Sequence, residues 1–149
     1  MFKNIKLLSL FSAIVIAASG CASVAMAPAE QDTKAKSFAT SPDKANVYIY
    51  RNETMGAAVK LQVSVDGKLI GSTASKSYFF VQLAPGKHTI MSQEDSDKTL
   101  DINVVAGKNY FVWQEVKMGM WSPGSKLNLV DDATGKAGVA ESGLIEAAK

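Results

Sequence analysis

The sequence predicts a mainly β protein: a small antiparallel sandwich of about seven or eight strands, closed by a short C-terminal helix. Three observations carry this expectation. Runs of β-branched and aromatic residues begin at Asn46, turn residues then recur about every 8 to 12 positions, and an apolar stripe at helical spacing begins at Val130. That rhythm suits a sandwich or small barrel, whereas a parallel α/β fold would alternate strands with helical segments.

The elements follow in order. Val47-Tyr48-Ile49-Tyr50 is a strand by composition. From Val59 to Val65 apolar and polar residues alternate strictly, so Val59, Leu61, Val63 and Val65 are expected on one buried face of a half-exposed strand. Asp66-Gly67 then forms a two-residue hairpin turn, because glycine accepts positive φ, and Lys68 to Thr73 returns as the partner. Tyr78 to Leu83 and His88 to Gln93 are strands about the turn Ala84-Pro85-Gly86-Lys87. After a polar loop from Glu94 to Lys98 come Thr99 to Val105, the turn Ala106-Gly107-Lys108, and a strand from Asn109 to Val116. Lys126 to Val130 is a last short strand. Asp131 or Asp132 then caps a helix at about 131–142, with Val130, Ala133, Ala137, Ala140 and Leu144 as a narrow apolar stripe. Gly135 and Gly138 weaken that helix by about 1 kcal/mol each relative to alanine, so packing has to hold it.

The N-terminal segment has a different character. Lys3 and Lys6 precede an apolar stretch from Leu7 to Ala18, followed by Ser19, Gly20 and Cys21, the only cysteine. About a dozen apolar residues are too few to span a bilayer, which needs roughly 20, so residues 1–20 read as a cleaved secretory leader. The pattern resembles a bacterial lipoprotein signal, which implies a lipid on Cys21 and cleavage before it. Lipoprotein signals most often carry leucine three residues before the cysteine, where this chain has Ala18. Ala25-Met26-Ala27 offers an alternative cut after Ala27 that would release a soluble, non-lipidated protein, although Pro28 disfavours it. With Ala22 after the cysteine, the expected location is the outer membrane, facing the periplasm. A lipidated Cys21 leaves no thiol for a disulfide or a nucleophile. Residues 21–44 are polar, without apolar periodicity, and read as a flexible spacer ahead of a domain at 45–149. Fully extended, such a spacer would hold the domain some tens of ångströms from the membrane.

Removing Lys3 and Lys6 from the sixteen basic residues leaves fourteen, equal to the fourteen acidic ones. A neutral mature chain argues against nucleic acid as a partner. The 129 residues left after a cut at Gly20 suffice to bury one core without disulfides.

Several motifs in the domain carry a resemblance. Tyr48-Ile49-Tyr50-Arg51, Val63-Ser64-Val65-Asp66-Gly67 with Ile70-Gly71, Pro85-Gly86-Lys87-His88, and Ala106-Gly107-Lys108-Asn109-Tyr110-Phe111 occur in that order. Together they resemble the bacterial lipoprotein family called domain of unknown function 2846, over about residues 44 to 130. Val-Asp-Gly followed by Pro-Gly-x-His is also similar to PEGA-type β modules of envelope proteins. The resemblance implies a small β-sandwich on a lipid anchor, and the family offers no activity to inherit.

Candidate chemistry is sparse. His88 is the only histidine, so a histidine-rich metal site is impossible and any Ser-His-Asp arrangement needs His88 as its base. Beside a Pro-Gly turn, polar packing at a strand edge is its plainer role. Glu94, Asp95 and Asp97 lack the central glycine and terminal glutamate of an EF-hand loop, so a solvated hairpin tip is expected and no metal site. Asp131-Asp132 reads as a helix cap. No cofactor is expected.

Arg51, beside two tyrosines, can stack on an aromatic face or clamp a carboxylate; the alternative is an internal pair with Glu115 or Asp66. Trp113, Met118, Met120 and Trp121 lie in the densest aromatic and methionine-rich stretch, with Gly119 and Pro123-Gly124 making its later part a loop. Alternation puts Phe111, Trp113 and Glu115 on one face and Tyr110, Val112, Gln114 and Val116 on the other. An exposed pair of tryptophans would make a platform for sugar rings or a protein contact, while an inward Trp113 would be core.

The expectation is therefore a lipid-anchored envelope protein with a non-catalytic interaction module. Its expected partners are the membrane, through the anchor, and an envelope protein or peptidoglycan, through Trp113, Met118, Met120, Trp121 and Arg51. The alternative is a small periplasmic hydrolase or glycan-acting enzyme using His88.

Overall fold

The computed structural model of the chain describes residues 23–93 and 98–148. The leader, Cys21, and the carboxylates Glu94, Asp95 and Asp97 lie outside the described residues. The elements in chain order are α1 (Ala29–Ala35), β1 (Ala45–Arg51), β2 (Leu61–Val65), β3 (Lys68–Thr73), β4 (Ser77–Leu83), β5 (Gly86–Ser92), β6 (Thr99–Val104), β7 (Asn109–Met118), β8 (Pro123–Val130), α2 (Asp132–Ala140) and β9 (Gly143–Leu144).

The mainly β class with a short C-terminal helix is what the chain adopts, in two sheets. A five-stranded sheet has the order β8-β7-β1-β4-β9 and a four-stranded sheet the order β3-β2-β5-β6. Hairpin neighbours run antiparallel, while β1–β7 and β4–β9 are parallel pairs. The Asp66-Gly67 turn forms as the sequence demands, with both residues at positive φ and Val65 facing Lys68.

β1 sits at the centre of the larger sheet and all seven of its residues are buried. That explains its unbroken apolar and aromatic run, since a strand covered on both faces has no reason to alternate. Its inner face contributes Ala45, Val47 and Ile49 to a core between the sheets, with Val63, Phe79, Ile90, Ile102, Val104 and Val112. Its outer face contributes Tyr48 and Tyr50 to a second apolar cluster, with Ala35, Tyr78, Phe111 and Val139. Tyr48 stacks on Phe111 at 5.1 Å and meets the edge of Phe38 at 5.4 Å. Two helices cover this outer face.

The supposed flexible spacer is corrected here. Within residues 23–44, Met26 bridges Ile145, and Ala27 N donates to Leu144 O while Glu146 N donates to Ala25 O, both at 2.9 Å. Helix α1 is then held by Asp32, whose carboxylate accepts from the Tyr78 hydroxyl and from Leu144 N, and by Ala35 O, which accepts from Tyr48 OH. Composition gives no sign of this, because backbone pairing, polar anchors and the scattered apolar residues Val24, Ala35 and Phe38 hold the segment in place of an apolar stripe.

Three local boundaries also differ. Val59 is half-buried ahead of β2, which begins at Leu61. The turn after β4 shrinks to Ala84-Pro85, since Gly86 already belongs to β5. Pro123 and Gly124 open β8 in place of a loop; proline is tolerated there as the first residue of an edge strand.

Helix α2 follows the expected cap, with the Asp131 carboxylate accepting from Thr134 N. Its two interior glycines have a packing reason that the sequence hides. A Cβ on Gly135 would lie 2.1 Å from Phe111 Cγ, and one on Gly138 would lie 2.1 Å from Tyr50 Cε2. The helix rests its backbone directly on the two rings.

Candidate functional site

β7 is ten residues long, and this length creates the most exposed apolar feature of the described residues. β1 is paired with β7 only as far as Tyr50 opposite Trp113, whereas the β7–β8 pairing continues to Met118 opposite Pro123. The hairpin therefore projects past its sheet. At its tip Trp121 is 94% exposed, Met120 89% and Met118 59%.

The structure separates the candidate patch residues. Trp113 does not join Trp121: it is half-buried on the outer face, where its Nε1 donates to Glu53 Oε1 at 3.1 Å. There it lines a cleft of about 260 Å³ with Tyr50, Asn52, Thr134, Gly138 and Glu141. The predicted alternation holds along the strand, because Val112, Gln114 and Val116 are buried while Trp113 and Glu115 are partly exposed.

Arg51 is not a surface residue and is removed from the patch. It is fully buried, and its guanidinium donates to Val59 O at 2.6 Å, Gly56 O at 2.5 Å and Met55 O at 3.4 Å. Neither proposed internal partner takes part, since Glu115 is held by Lys117 and Asn128, and Asp66 by His88. The inner-face position on β1 sends the Arg51 side chain between the sheets, where it ties down the 52–60 connection and burial lowers its pKa. Nε of Arg51 and Oε2 of Glu53 are buried without a hydrogen-bond partner among the described residues.

In place of Arg51 the tip gains Met55, which is 53% exposed. Its neighbour Gly56 approaches the tip so closely that an added Cβ would lie 3.8 Å from Met118 Sδ. Sequence reasoning missed Met55 because nothing local places the 52–60 loop beside β7; the buried Arg51 does so.

Behind the tip, the end of the sandwich holds a buried polar network. Gln114 accepts from Thr73 Oγ1 at 2.5 Å and donates to Ser92 Oγ at 2.7 Å, and Ser92 Oγ lies 2.6 Å from Ser125 Oγ. Ser125 in turn donates to Gln93 Oε1. Gln114, Thr73 and Ser92 are completely buried, so this chain of hydrogen bonds fixes the register of both sheets beneath the hairpin.

His88 lies at the opposite end. Its Nδ1 is 2.6 Å from Asp66 Oδ2 and its Nε2 is 2.7 Å from Ala84 O. A carbonyl and a carboxylate both require donors, so the bonded form is the imidazolium. The Asp66 hydrogen bond, followed by the Ala84 carbonyl, raises its pKa, and the same bond lowers that of Asp66. A base with no free nitrogen has no lone pair to offer a substrate. Among the described residues no three His, Cys, Asp or Glu side chains are grouped to hold a metal ion.

The family model "Protein of unknown function (DUF2846)" matches residues 41–125, from just before β1 into β8. The chain belongs to this family. It is also 35% identical over 131 residues to an uncharacterized protein of Haemophilus influenzae, a match that covers 86% of this chain and 77% of the relative. No solved structure matches. The family region includes β1, the hairpin tip and His88, while α1 and α2 lie outside it.

Proposed function

We propose that this family member is a lipid-anchored envelope protein whose sandwich is a non-catalytic docking module, and that it meets a partner protein through the β7–β8 tip. The observation that carries the reading is the crown of Met55, Met118, Met120 and Trp121, four large apolar side chains at one end of the molecule, each more than half exposed. Tryptophan and methionine are enriched where proteins meet, and a monomer gains nothing by exposing such a group. Thioethers adapt to an apolar groove but give a sugar ring no hydrogen bonds, which favours a protein over peptidoglycan.

The anchor is supported by the leader pattern ending at Cys21 and by the role of residues 24–27. Val24 packs on the main core and Met26 bridges Ile145, so cleavage after Ala27 would strip a structural segment from the domain. Cleavage before Cys21 leaves that segment intact.

Two measurements test the reading. Cys21→Ser should abolish palmitate labelling and membrane retention; labelling that survives refutes the anchor. A photo-crosslinking side chain at position 121 should capture a discrete partner in intact cells, and the same group at Lys87, at the other end, should not. Equal or absent capture at both positions refutes the tip as the docking surface.

A further inference from the structure

We propose that the domain sits directly on the bilayer holding its anchor, with the turns at 66–67, 84–85 and 105–108 against the phospholipid headgroups and the β7–β8 tip facing away; this orientation rests on lipidation of Cys21.

The described fold already includes Val24, early in the stretch expected to be a spacer. Val24 packs on the core, and residues 25–27 pair antiparallel with 144–146. Cys21 lies three residues before Val24, so about 10 Å of chain at ~3.3–3.6 Å per residue is all that separates the lipidated residue from the fixed domain. A tether that short brings the end of the domain from which it leaves down to the membrane surface.

The strand registers say which end that is. Leu144 is level with Tyr78, Tyr78 with Tyr50, and Tyr50 with Trp113, so Ile145 and its partner Met26 are level with Val112. Residues 25–27 run antiparallel to the 144–146 segment, which continues the direction of β9. β9 is parallel to β4, and β4 antiparallel to β1, so residues 25–27 run in the same direction as β1 and β7. Moving back from Ala27 to Ala25 therefore leads towards the level of Asn109, away from the tip. From Val112, level with Met26, to Met118 at the tip β7 rises about 20 Å at roughly 3.3 Å per residue.

The chemistry of the exit end suits headgroups. Lys68 and Lys108 are exposed there, while the carboxylates of Asp66 and Asp101 are engaged by His88 and Lys87. Val105 and Leu69 add half-exposed apolar side chains at the same level, 51% and 45% exposed. Exposed lysines beside apolar side chains favour an anionic interface. The protein thus holds its apolar crown out into the periplasmic space, where a protein partner and not the bilayer can reach it.

The test uses the lipidated full chain in phosphatidylethanolamine–phosphatidylglycerol vesicles doped with a nickel-chelating lipid. A nitroxide is attached through Val105→Cys or Trp121→Cys, the native Cys21 being blocked by its lipid. Spin relaxation by the headgroup nickel should be several-fold stronger at 105 than at 121. Equal relaxation, or a stronger effect at 121, in a protein that carries palmitate and floats with the vesicles overturns the orientation alone. A protein without palmitate that stays soluble overturns the anchor and the orientation together.

Discussion

Replacing Gly138 with alanine should destabilise this protein although alanine is the better helix former. On an exposed helix the change would gain about 1 kcal/mol. Here the added Cβ would lie 2.1 Å from Tyr50 Cε2 and 2.6 Å from Cζ, where carbon atoms in contact stay about 3.5–4.0 Å apart. Relief needs a shift of roughly 1.4 Å by the helix or by the ring. The ring is 2% exposed on the central strand, and lifting the helix would uncover Val139, now fully buried. Overpacking of this kind costs about 1–3 kcal/mol and occasionally more; with a rigid ring as the obstacle the upper figure applies. Offset by helix propensity, the net loss is about 2 kcal/mol, or a melting point lower by roughly 8 °C for a domain of this size. Urea unfolding followed by tryptophan fluorescence reads it directly, because Trp113 lines the same cleft as Gly138. The slope should stay constant while the midpoint falls. An unchanged or higher midpoint would refute the close-approach argument, as would failure of Tyr50→Leu to lessen the penalty in the double variant.

Arg51→Leu should cost about 3 kcal/mol, because the carbonyls of Met55, Gly56 and Val59 lose their donor. Limited proteolysis should then cut within 52–60, and an unchanged digestion pattern would count against the loop-tying role. Gln114→Leu removes two bonds from a buried network, leaving Thr73 only Leu61 O and Ser92 only Ser125, and should cost about 2 kcal/mol; a denaturation midpoint equal to that of the parent would show the network to be dispensable. The His88–Asp66 pair predicts a pH dependence whose sign follows from the two shifts. The raised His88 pKa gives a contribution that is full below about pH 6.5 and fades as pH rises through the raised value, and the lowered Asp66 pKa gives one that is present above about pH 4 and lost as pH falls further. Parent and His88→Ala should therefore differ most in stability near pH 5.5 and least near pH 8.5, by urea midpoints. A difference that fails to shrink with rising pH would contradict the ion pair.

Much of the fold is legible in the sequence because strands and turns are local. The alternation from Leu61 to Val65, the Asp66-Gly67 turn and the aromatic run from Val47 to Tyr50 report their own geometry, since side-chain direction and allowed φ depend on the residue and its neighbours. The exposed part of the candidate site is legible for the same reason. Met118, Met120 and Trp121 occupy a stretch broken by glycine and proline, where no apolar periodicity points them inward.

What escapes the sequence depends on neighbours distant along the chain. Arg51 reads as a patch residue or as the partner of a carboxylate, Glu115 or Asp66, whereas its actual partners are three carbonyls of a loop up to eight residues away, which make its burial tolerable. Gly135 and Gly138 read as flaws in a helix until Phe111 and Tyr50 stand beneath them.

By itself the sequence determined the β class, the hairpin turns, the capped C-terminal helix and the family, all of which follow from local periodicity or from motifs in fixed order. Tertiary structure alone decided that residues 23–44 dock on the sandwich, that Trp113 parts from Trp121, and that Met55 joins the tip. Each of those depends on a contact across tens of residues, and such a contact leaves no pattern at either of its ends.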